Sequence, residues 1–243
     1  MKVIIGDSYE SISRIGAEHL INTVLEQGSV TLGLATGGTP LGLYREMIKP
    51  EIKKKLDVTK ITTFNLDEYV GLPPTSPQSY RYYMNQHLFI PLGIPLAQTF
   101  LPDGTAKDIQ AECMRYESLL EEHGGIDVQI LGVGKNGHIG FNEPGTSFSS
   151  RTHEVVLSES TRLANERYFD SPTDVPRKAI TMGIATIMQA KKIILLASGV
   201  NKAQAVYHLL EGDTITNEWP VTSLKKHPNV TVILEHSAAS LIH

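Results

Sequence analysis

The sequence is poor in cysteine, in excess positive charge and in long apolar segments. Cys113 is the one cysteine among 243 residues, which excludes an intrachain disulfide and a cysteine-rich zinc site. Lysine and arginine total 22 against 26 acidic residues, and the net charge of −4 argues against nucleic-acid binding through a broad basic face. The most apolar segment, residues 89–97, is interrupted by Pro91 and Pro95 and is shorter than the ~18 residues of a membrane span. We therefore expect a soluble, cytoplasmic protein that binds neither nucleic acid nor membrane.

Short apolar segments alternate with segments of helical periodicity along the chain. The apolar segments predict strands at residues 2–5, 30–35, 61–66, 128–132, 192–197 and 229–234. Helices are predicted from residue 8 or 11 to 27, at 107–123 and at 202–211. Because the strands are continuously apolar, both faces of the sheet are expected to be covered. The pattern predicts an α/β fold: one domain over residues 1–243, with a doubly wound, mainly parallel sheet flanked by helices.

In such sheets ligands bind outside the carboxyl ends of the strands. The second predicted strand is followed by Thr36, Gly37, Gly38, Thr39 and Pro40, and then by a helix. The glycines let backbone N–H groups converge, and proline suits a first helical turn, so the segment resembles an anion cradle. An ordinary tight turn explains the same residues. The spacing differs from the GxxxxGK[ST] of a nucleotide-binding loop.

Two adjacent carboxylates, Asp67 and Glu68, follow the third predicted strand. If the crevice excludes water from them, repulsion between like charges should raise one pKa and provide a general base. The alternative is a helix-capping Asp67 beside a solvated Glu68.

The fourth predicted strand leads into a glycine-rich segment, residues 134–145, which carries Asn136, His138 and Glu143. Residues 132–137 match GxGxxG, but no long helix is predicted to follow, which disfavours a dinucleotide site. A histidine paired with a carboxylate in such a loop is typical of an acid–base relay. A structural histidine with satisfied hydrogen bonds is the alternative.

Two basic residues are candidates for binding an anion. Lys202 is predicted in the first turn of a helix, where the helix dipole disfavours a cation unless an anion lies nearby. Arg167 ends the segment 160–168. Each is also explained as an ordinary surface charge. Together with the cradle, the carboxylates and the histidine, they suit proton transfer beside the carbonyl of a phosphorylated sugar.

The segments that carry this chemistry resemble the glucosamine-6-phosphate deaminases. The matching segments are LGLATGGTPLGLY at 32–44, FNLDEYVGL at 64–72, LGVGKNGHIGFNEPGTSF at 131–148, SRTHEV, TRLANERYF and TMGI. The resemblance extends over nearly the whole chain. It implies a Rossmann-like fold shared with ribose-phosphate isomerases and coenzyme A transferases, and the conversion of glucosamine 6-phosphate and water to fructose 6-phosphate and ammonia in amino-sugar catabolism.

The resemblance also implies a role for each site residue. His138 opens the sugar ring with Glu143 and Asn136, and Asp67 then transfers a proton from C2 to C1. No metal or organic cofactor takes part. The substrate-binding residues would be Thr36, Gly37, Gly38, Thr39, Glu68, Gly137, Arg167 and Lys202.

The chain departs from the family pattern in two respects. Enterobacterial members carry aspartate where this chain has Asn136. An amide cannot accept a proton at neutral pH, so Asn136 can only orient its neighbours or form hydrogen bonds, and a His138–Glu143 relay is our hypothesis. His153 and Val155 replace a basic pair that binds an activator, N-acetylglucosamine 6-phosphate, and the sequence ends soon after the last strand. We expect hyperbolic kinetics without this activator, and a monomer or small homo-oligomer.

Other readings remain open at this point. A 6-phosphogluconolactonase would use the same crevice but needs no base at C2, so Asp67 discriminates between the two activities. A ribose-phosphate isomerase needs such a base but a hydroxyl group at C2, and a sugar-phosphate sensor would use the pocket without chemistry. Core packing is the default expectation for residues 80–89, with a cover over the sugar as the alternative.

Overall fold

Seven parallel strands form the central sheet in the computed structural model, which describes residues 1–159, 162–163, 169, 171 and 174–243. Their spatial order is β1-β10-β9-β6-β2-β3-β5. All six strands predicted from the sequence are present, which confirms the α/β fold with a mainly parallel sheet. The short edge strand β5 was not predicted. The strands are β1 (Lys2–Gly6), β2 (Val30–Leu34), β3 (Ile61–Asn65), β5 (Thr99–Phe100), β6 (Val128–Gly132), β9 (Lys192–Ala197) and β10 (Val230–Glu235).

Helices cover both faces of this sheet, and each face has its own apolar core. The Ser8 side chain caps the first helix and Asp108 caps the sixth, close to the predicted starts. Among the described residues, no helix is long and apolar enough to cross a membrane. The helices are α1 (Tyr9–Gln27), α2 (Gly38–Met47), α3 (Pro50–Lys53), α4 (Tyr80–Met84) with a π-helical turn (Asn85–Phe89), α5 (Ile90–Leu92), α6 (Ile109–Glu122), α7 (Ile184–Ile187) and α8 (Ala203–Leu210).

The chain changes direction across the sheet between β2 and β6. After β2 it continues outward to β3 and β5, and it then returns to β6 on the other side of β2. The connections that follow β2 and β6 therefore leave in opposite directions, which opens a crevice at the carboxyl ends of the two strands. Strand β9 lies next to β6, so the segment that follows it borders the same region.

A second sheet of three antiparallel strands lies beside this crevice. It consists of β4 (Asp67–Tyr69), β8 (Lys178–Thr181) and β7 (His153–Val156), with β8 in the centre. The sequence places Asp67 directly after a predicted strand, and the structure shows it as the first residue of a further short strand, paired with Thr181. A three-residue strand has no periodicity to reveal it, and its partner is more than a hundred residues away.

Candidate active site

Residues 36–39 connect β2 to α2 and form the segment expected to bind an anion. Gly37 has a φ of +94°, a left-handed conformation that favours glycine, and α2 begins at the next residue. No described residue accepts a hydrogen bond from the N–H groups of residues 36–39, and unpaired N–H groups at a helix start suit an anion. The Cβ of Thr39 lies 3.8 Å from the position of a Cβ on Gly132, which places the cradle at the end of β6.

Asp67 is buried at the start of β4. Burial, and secondly the charge of Glu68, raise the pKa of Asp67 to about 8, and no hydrogen bond from a described residue opposes this shift. A carboxyl group that ionises near pH 8 can both accept and return a proton close to neutral pH. This environment agrees with the expectation of a general base at this position.

Glu68 has a different environment. Its Oε1 accepts hydrogen bonds from the N–H groups of Tyr69 and Tyr80, and its Oε2 accepts one from the N–H of Arg81, all at 2.9 Å. Burial raises the pKa of Glu68, and these three hydrogen bonds oppose the shift. Glu68 therefore caps α4, and its contact with a substrate, which the family resemblance implies, stays a prediction. The alternative of a capping Asp67 beside a solvated Glu68 is wrong.

Asn136 lies between His138 and Glu143. Its Nδ2 donates a hydrogen bond to Glu143 Oε2 at 2.7 Å, and its Oδ1 is 2.7 Å from His138 Nδ1. The direct distance from His138 Nδ1 to Glu143 Oε2 is 3.7 Å. The His138–Glu143 relay stays a hypothesis, and in the structure Asn136 joins the two groups through hydrogen bonds to both.

The hydrogen bonds among Glu143, Asn136 and His138 determine which nitrogen of His138 carries a proton. A carboxylate only accepts hydrogen bonds, so the NH₂ group of Asn136 must face Glu143 and its oxygen must face His138. That oxygen also only accepts, so Nδ1 of His138 carries a hydrogen and, in the neutral ring, Nε2 carries the lone pair. With 29% of its side chain exposed, His138 is accessible to a bound molecule.

Glycines let the backbone of the loop at residues 134–145 lie close to the His138 ring and to Asp67. A Cβ on Gly134 would overlap the His138 ring. At Gly140, where φ is +57°, a Cβ would lie 2.9 Å from Thr181 Oγ1 and 3.7 Å from Asp67 Oδ2. The loop that carries His138 therefore passes over Asp67, and a side chain at position 140 would contact the carboxylate and collide with Thr181.

The segment at residues 214–220 supports this loop near both ends. From the sequence we expect Trp219 and this segment to pack near the active site, with closure of the surface as the alternative. A Cβ on Gly137, an expected substrate contact, would lie 2.8 Å from Trp219 Cε3. The Gly145 N–H donates a hydrogen bond to the Asn217 carbonyl at 2.9 Å. The single tryptophan of the chain was a visible signal, but nothing local to it indicated its partner.

The two basic candidates have different outcomes. Lys202 ends a short 3₁₀ turn, Val200–Lys202, and directly precedes α8, which places it beyond the carboxyl end of β9 and beside the β6 loop. Arg167 lies outside the described residues. Within the described part of the chain, no three His, Cys, Asp or Glu side chains are grouped so as to hold a metal ion.

A cavity of about 300 Å³ adjoins the cradle on the side of α4. Gly37 and Gly38 form part of its wall, and five aromatic residues form another part: Tyr69, Tyr80, Tyr82, Tyr83 and Phe169. Further along the segment 80–89, Met84, Leu88 and Phe89 are buried in the core. The segment therefore packs in the core, as expected by default, and also borders this cavity.

Residues 8–233 match the family of glucosamine-6-phosphate isomerases/6-phosphogluconolactonase. The chain belongs to this family. A curated relative, the glucosamine-6-phosphate deaminase of Geobacillus sp. (strain WCH70), is 53% identical over 242 residues, which cover 100% of this chain and 96% of that protein.

Solved structures of both kinds of enzyme in this family resemble the chain to different degrees. A monomeric glucosamine-6-phosphate deaminase superposes with a TM-score of 0.96 at 51% identity, over 99% of this chain and 100% of its own. The 6-phosphogluconolactonase of Trypanosoma brucei superposes with a TM-score of 0.80 at 21% identity, over 100% of this chain and 98% of its own. The second likeness shows a common fold only.

Proposed function

We propose that this protein is a glucosamine-6-phosphate deaminase, which converts glucosamine 6-phosphate and water to fructose 6-phosphate and ammonia. Identities of 53% and 51% to deaminases over nearly the full chain support this activity. The observation that carries the proposal is Asp67, a buried carboxyl group with a pKa of about 8 beneath the loop that bears His138. Deamination requires a base that removes a proton from carbon, whereas lactone hydrolysis does not.

His138 opens the sugar ring in this proposal. The lone pair on Nε2 accepts the proton of the C1 hydroxyl group, and the same nitrogen returns a proton to the ring oxygen, which leaves an aldehyde at C1. While the ring carries the extra proton, Asn136 Oδ1 accepts the Nδ1 hydrogen bond and the negative charge of Glu143 stabilises the imidazolium through the amide.

Asp67 then acts at carbon. The C2 proton becomes acidic once C1 is a carbonyl, and the Asp67 carboxylate removes it from C2 and delivers it to C1. This transfer converts the aldehyde through an enolamine to a protonated ketimine at C2, while one proton of the ammonium group passes to the C1 oxygen and makes it a hydroxyl group. Water then adds to C2, and loss of the nitrogen as ammonia leaves the ketone. The substrate ammonium group favours the ionised form of Asp67, because an opposite charge nearby lowers a carboxyl pKa.

The cradle binds the phosphate group of the substrate. Backbone N–H groups at the start of a helix suit an oxyanion, and Lys202 and Arg167 supply positive charge. The proposed substrate-binding residues are Thr36, Gly37, Gly38, Thr39, Gly137, Arg167 and Lys202. No metal ion or organic cofactor enters any of the steps.

We also propose that the enzyme works in amino-sugar catabolism in the cytoplasm as a monomer or small homo-oligomer, without activation by N-acetylglucosamine 6-phosphate. His153 and Val155, on β7, stand where activated relatives carry basic residues, and His153 Nδ1 lies 2.8 Å from the Arg151 carbonyl. Rate curves should be hyperbolic with and without the acetylated sugar. Sigmoidal curves that this compound makes hyperbolic would contradict the proposal.

Ammonia release from glucosamine 6-phosphate in the presence of EDTA tests the activity. Wild type should release ammonia, and Asp67→Asn should be slower by about 10²–10⁴-fold, the usual contribution of a general base. Asp57→Asn is the matched control, because Asp57 binds only its surface neighbours Thr59 and Lys60 among the described residues and should leave the rate unchanged.

Two results would overturn the proposal. Absence of ammonia from the wild type would exclude the deaminase activity, and hydrolysis of 6-phosphogluconolactone would then be the next assay. An Asp67→Asn variant with the wild-type rate would show that another group is the base at carbon.

A further inference from the structure

Three tyrosine hydroxyl groups donate hydrogen bonds to carbonyl groups of the cradle and of the residue before it. Tyr44 donates to the Ala35 carbonyl at 2.5 Å, Tyr83 to the Gly37 carbonyl at 2.7 Å and Tyr9 to the Gly38 carbonyl at 2.6 Å. The three side chains come from α2, α4 and α1, which surround the segment from different directions. We call Tyr9, Tyr44 and Tyr83 the tyrosine brace.

Each of these hydrogen bonds also orients one N–H group. A peptide unit is planar and trans, so the N–H of a residue points opposite to the carbonyl of the residue before it. With the carbonyls of residues 35, 37 and 38 directed at tyrosines, the N–H groups of Thr36, Gly38 and Thr39 point away from them. Two successive glycines would otherwise leave these peptide units with many orientations.

Tyr9 reaches its carbonyl because α1 approaches α2 closely. A Cβ on Gly42 would overlap Ser13 Oγ and lie 3.0 Å from a ring carbon of Tyr9, so only glycine leaves room there. The Gly42 N–H also donates to the Tyr9 hydroxyl at 2.7 Å. The hydroxyl therefore bridges positions 38 and 42, which are the partners of an ordinary first-turn helical hydrogen bond.

Tyr44 lies on the second turn of α2 and is fully buried. Burial raises its pKa well above the ordinary value, so the hydroxyl group is a protonated donor at neutral pH. The hydrogen bond to Ala35 therefore constrains the peptide unit that enters the cradle.

We propose that Tyr9, Tyr44 and Tyr83 are positioning residues for the substrate phosphate, each directing one backbone N–H group toward the bound anion. The pairs are Tyr44 with the Thr36 N–H, Tyr83 with the Gly38 N–H and Tyr9 with the Thr39 N–H. The identity of the anion rests on the proposed function, but the test uses inorganic phosphate and does not depend on turnover.

Tyr83→Phe is the decisive variant, because it removes the hydroxyl group of a partly buried residue and keeps the ring. Loss of one hydrogen bond should weaken inorganic phosphate binding by roughly 3- to 15-fold in calorimetry. The KM for the sugar phosphate should rise by the same factor while kcat stays within about twofold. Tyr82→Phe is the control. Tyr82 lies on the same helix as Tyr83, and its hydroxyl group makes no hydrogen bond to a described residue.

Amide NMR spectra separate positioning from general stability. Phosphate should shift the wild-type amide signals of Thr36, Gly38 and Thr39. In Tyr83→Phe the Gly38 response should shrink and the Thr39 response should persist, and Tyr9→Phe should show the reverse. A variant that is only less stable would lose all three responses together.

Three results would overturn the inference: unchanged phosphate affinity in Tyr83→Phe, an equal loss in Tyr82→Phe, or no phosphate binding by the wild type. Phosphate binding that depends on the brace, in a protein that releases no ammonia from glucosamine 6-phosphate, would support the inference and refute the proposed activity. The two proposals therefore fail in different experiments.

Discussion

The cradle at residues 36–39 and the loop at residues 134–145 follow adjacent strands, but they are stabilised in different ways. The loop forms hydrogen bonds within itself: Asn136 joins His138 to Glu143, and the Gly134 N–H donates to the His138 carbonyl at 2.9 Å. The cradle has no such bonds among its described backbone groups. Tyrosines from three helices bind the carbonyls of Gly37, of Gly38 and of Ala35, the residue before the cradle.

Because of this difference, we expect the catalytic role of the loop and the phosphate-binding role of the cradle to respond to different substitutions. A loop with internal hydrogen bonds keeps its catalytic geometry as long as its own residues are intact. The cradle, in contrast, is oriented by tyrosines on surrounding helices, two of which are distant from it in the sequence. Changes within residues 134–145 should therefore impair chemistry and spare phosphate binding, and changes in the surrounding helices should do the opposite.

The largest effect is expected from Glu143→Gln, which breaks the order within the loop. A neutral amide both donates and accepts, so Asn136 is no longer obliged to turn its oxygen toward His138, and the imidazolium loses a nearby negative charge. We expect kcat to fall by about 10²–10³-fold, within the range of acid–base catalysis. Steady-state kinetics and phosphate calorimetry measure the outcome, and an equal loss of phosphate affinity would contradict the separation of the two regions.

Asn136→Asp provides the contrasting change at the residue that joins His138 to Glu143. A carboxylate here still accepts from His138 Nδ1 but repels Glu143, and like charges raise the pKa of such a pair. Turnover should persist with the acidic limb of the pH profile displaced. Complete inactivity would show that position 136 does more than orient its neighbours.

The next effect is a pH dependence that only the catalytic region should show. Because the pKa of Asp67 is about 8, kcat/KM should rise roughly tenfold per pH unit below that value and level off above it, after correction for substrate ionisation. In the kcat profile the same limb should lie at lower pH, because the substrate ammonium group favours the carboxylate. Coincident limbs in the two profiles would argue against contact between the amine and Asp67.

The same group links stability to pH. Its folded-state pKa is raised from 3.8 to about 8, so the folded protein binds more protons than the unfolded chain between these values, and the free energy of unfolding should fall as pH rises across this range. Urea denaturation at pH 5 and pH 8.5 measures the slope. Asp67→Asn should reduce it, and Asp57→Asn should leave it unchanged.

A smaller effect is expected from Trp219→Ala, which removes the support outside the catalytic loop. The indole contacts Gly137 and stacks on His208 with 4.0 Å between ring centres. We expect kcat to fall about tenfold through misplacement of His138, with KM unchanged. Trp219→Phe keeps a stacked ring and should recover most of the rate, whereas equal losses in both variants would show that the position does not act through packing.

The smallest effect should come from Glu68→Gln, which touches both regions. The amide is a weaker acceptor for the N–H groups of α4, so the free energy of unfolding should fall by about 1 kcal/mol. Because α4 carries Tyr83, phosphate affinity should weaken by about two- to threefold. Loss of the neighbouring charge should also move the Asp67 limb of the pH profile to lower pH. A limb that stays in place would show that burial alone sets the Asp67 pKa.

The central sheet and the candidate residues at its carboxyl edge could be predicted because their signals are local. Continuous β-branched segments indicate buried strands. The adjacent carboxylates Asp67 and Glu68 follow one of these strands, and the glycines around His138 follow another. The predicted strands lie within a residue or two of the observed ones. The short strands of the second sheet were missed, because three or four residues carry too little periodicity.

The sequence by itself determined the parallel α/β fold and the places of the cradle segment and of the candidate acid–base residues, because hydrophobic period and turn chemistry act between near neighbours. Only the tertiary structure decided that Glu68 caps a helix while Asp67 accepts no hydrogen bond from a described residue, and that Tyr9 and Tyr83 donate hydrogen bonds to cradle carbonyls. Asp67 pairs with Thr181, and Tyr9 binds Gly38, across long stretches of chain. Such hydrogen bonds exist only after the sheet has brought distant segments together, so no local pattern encodes them.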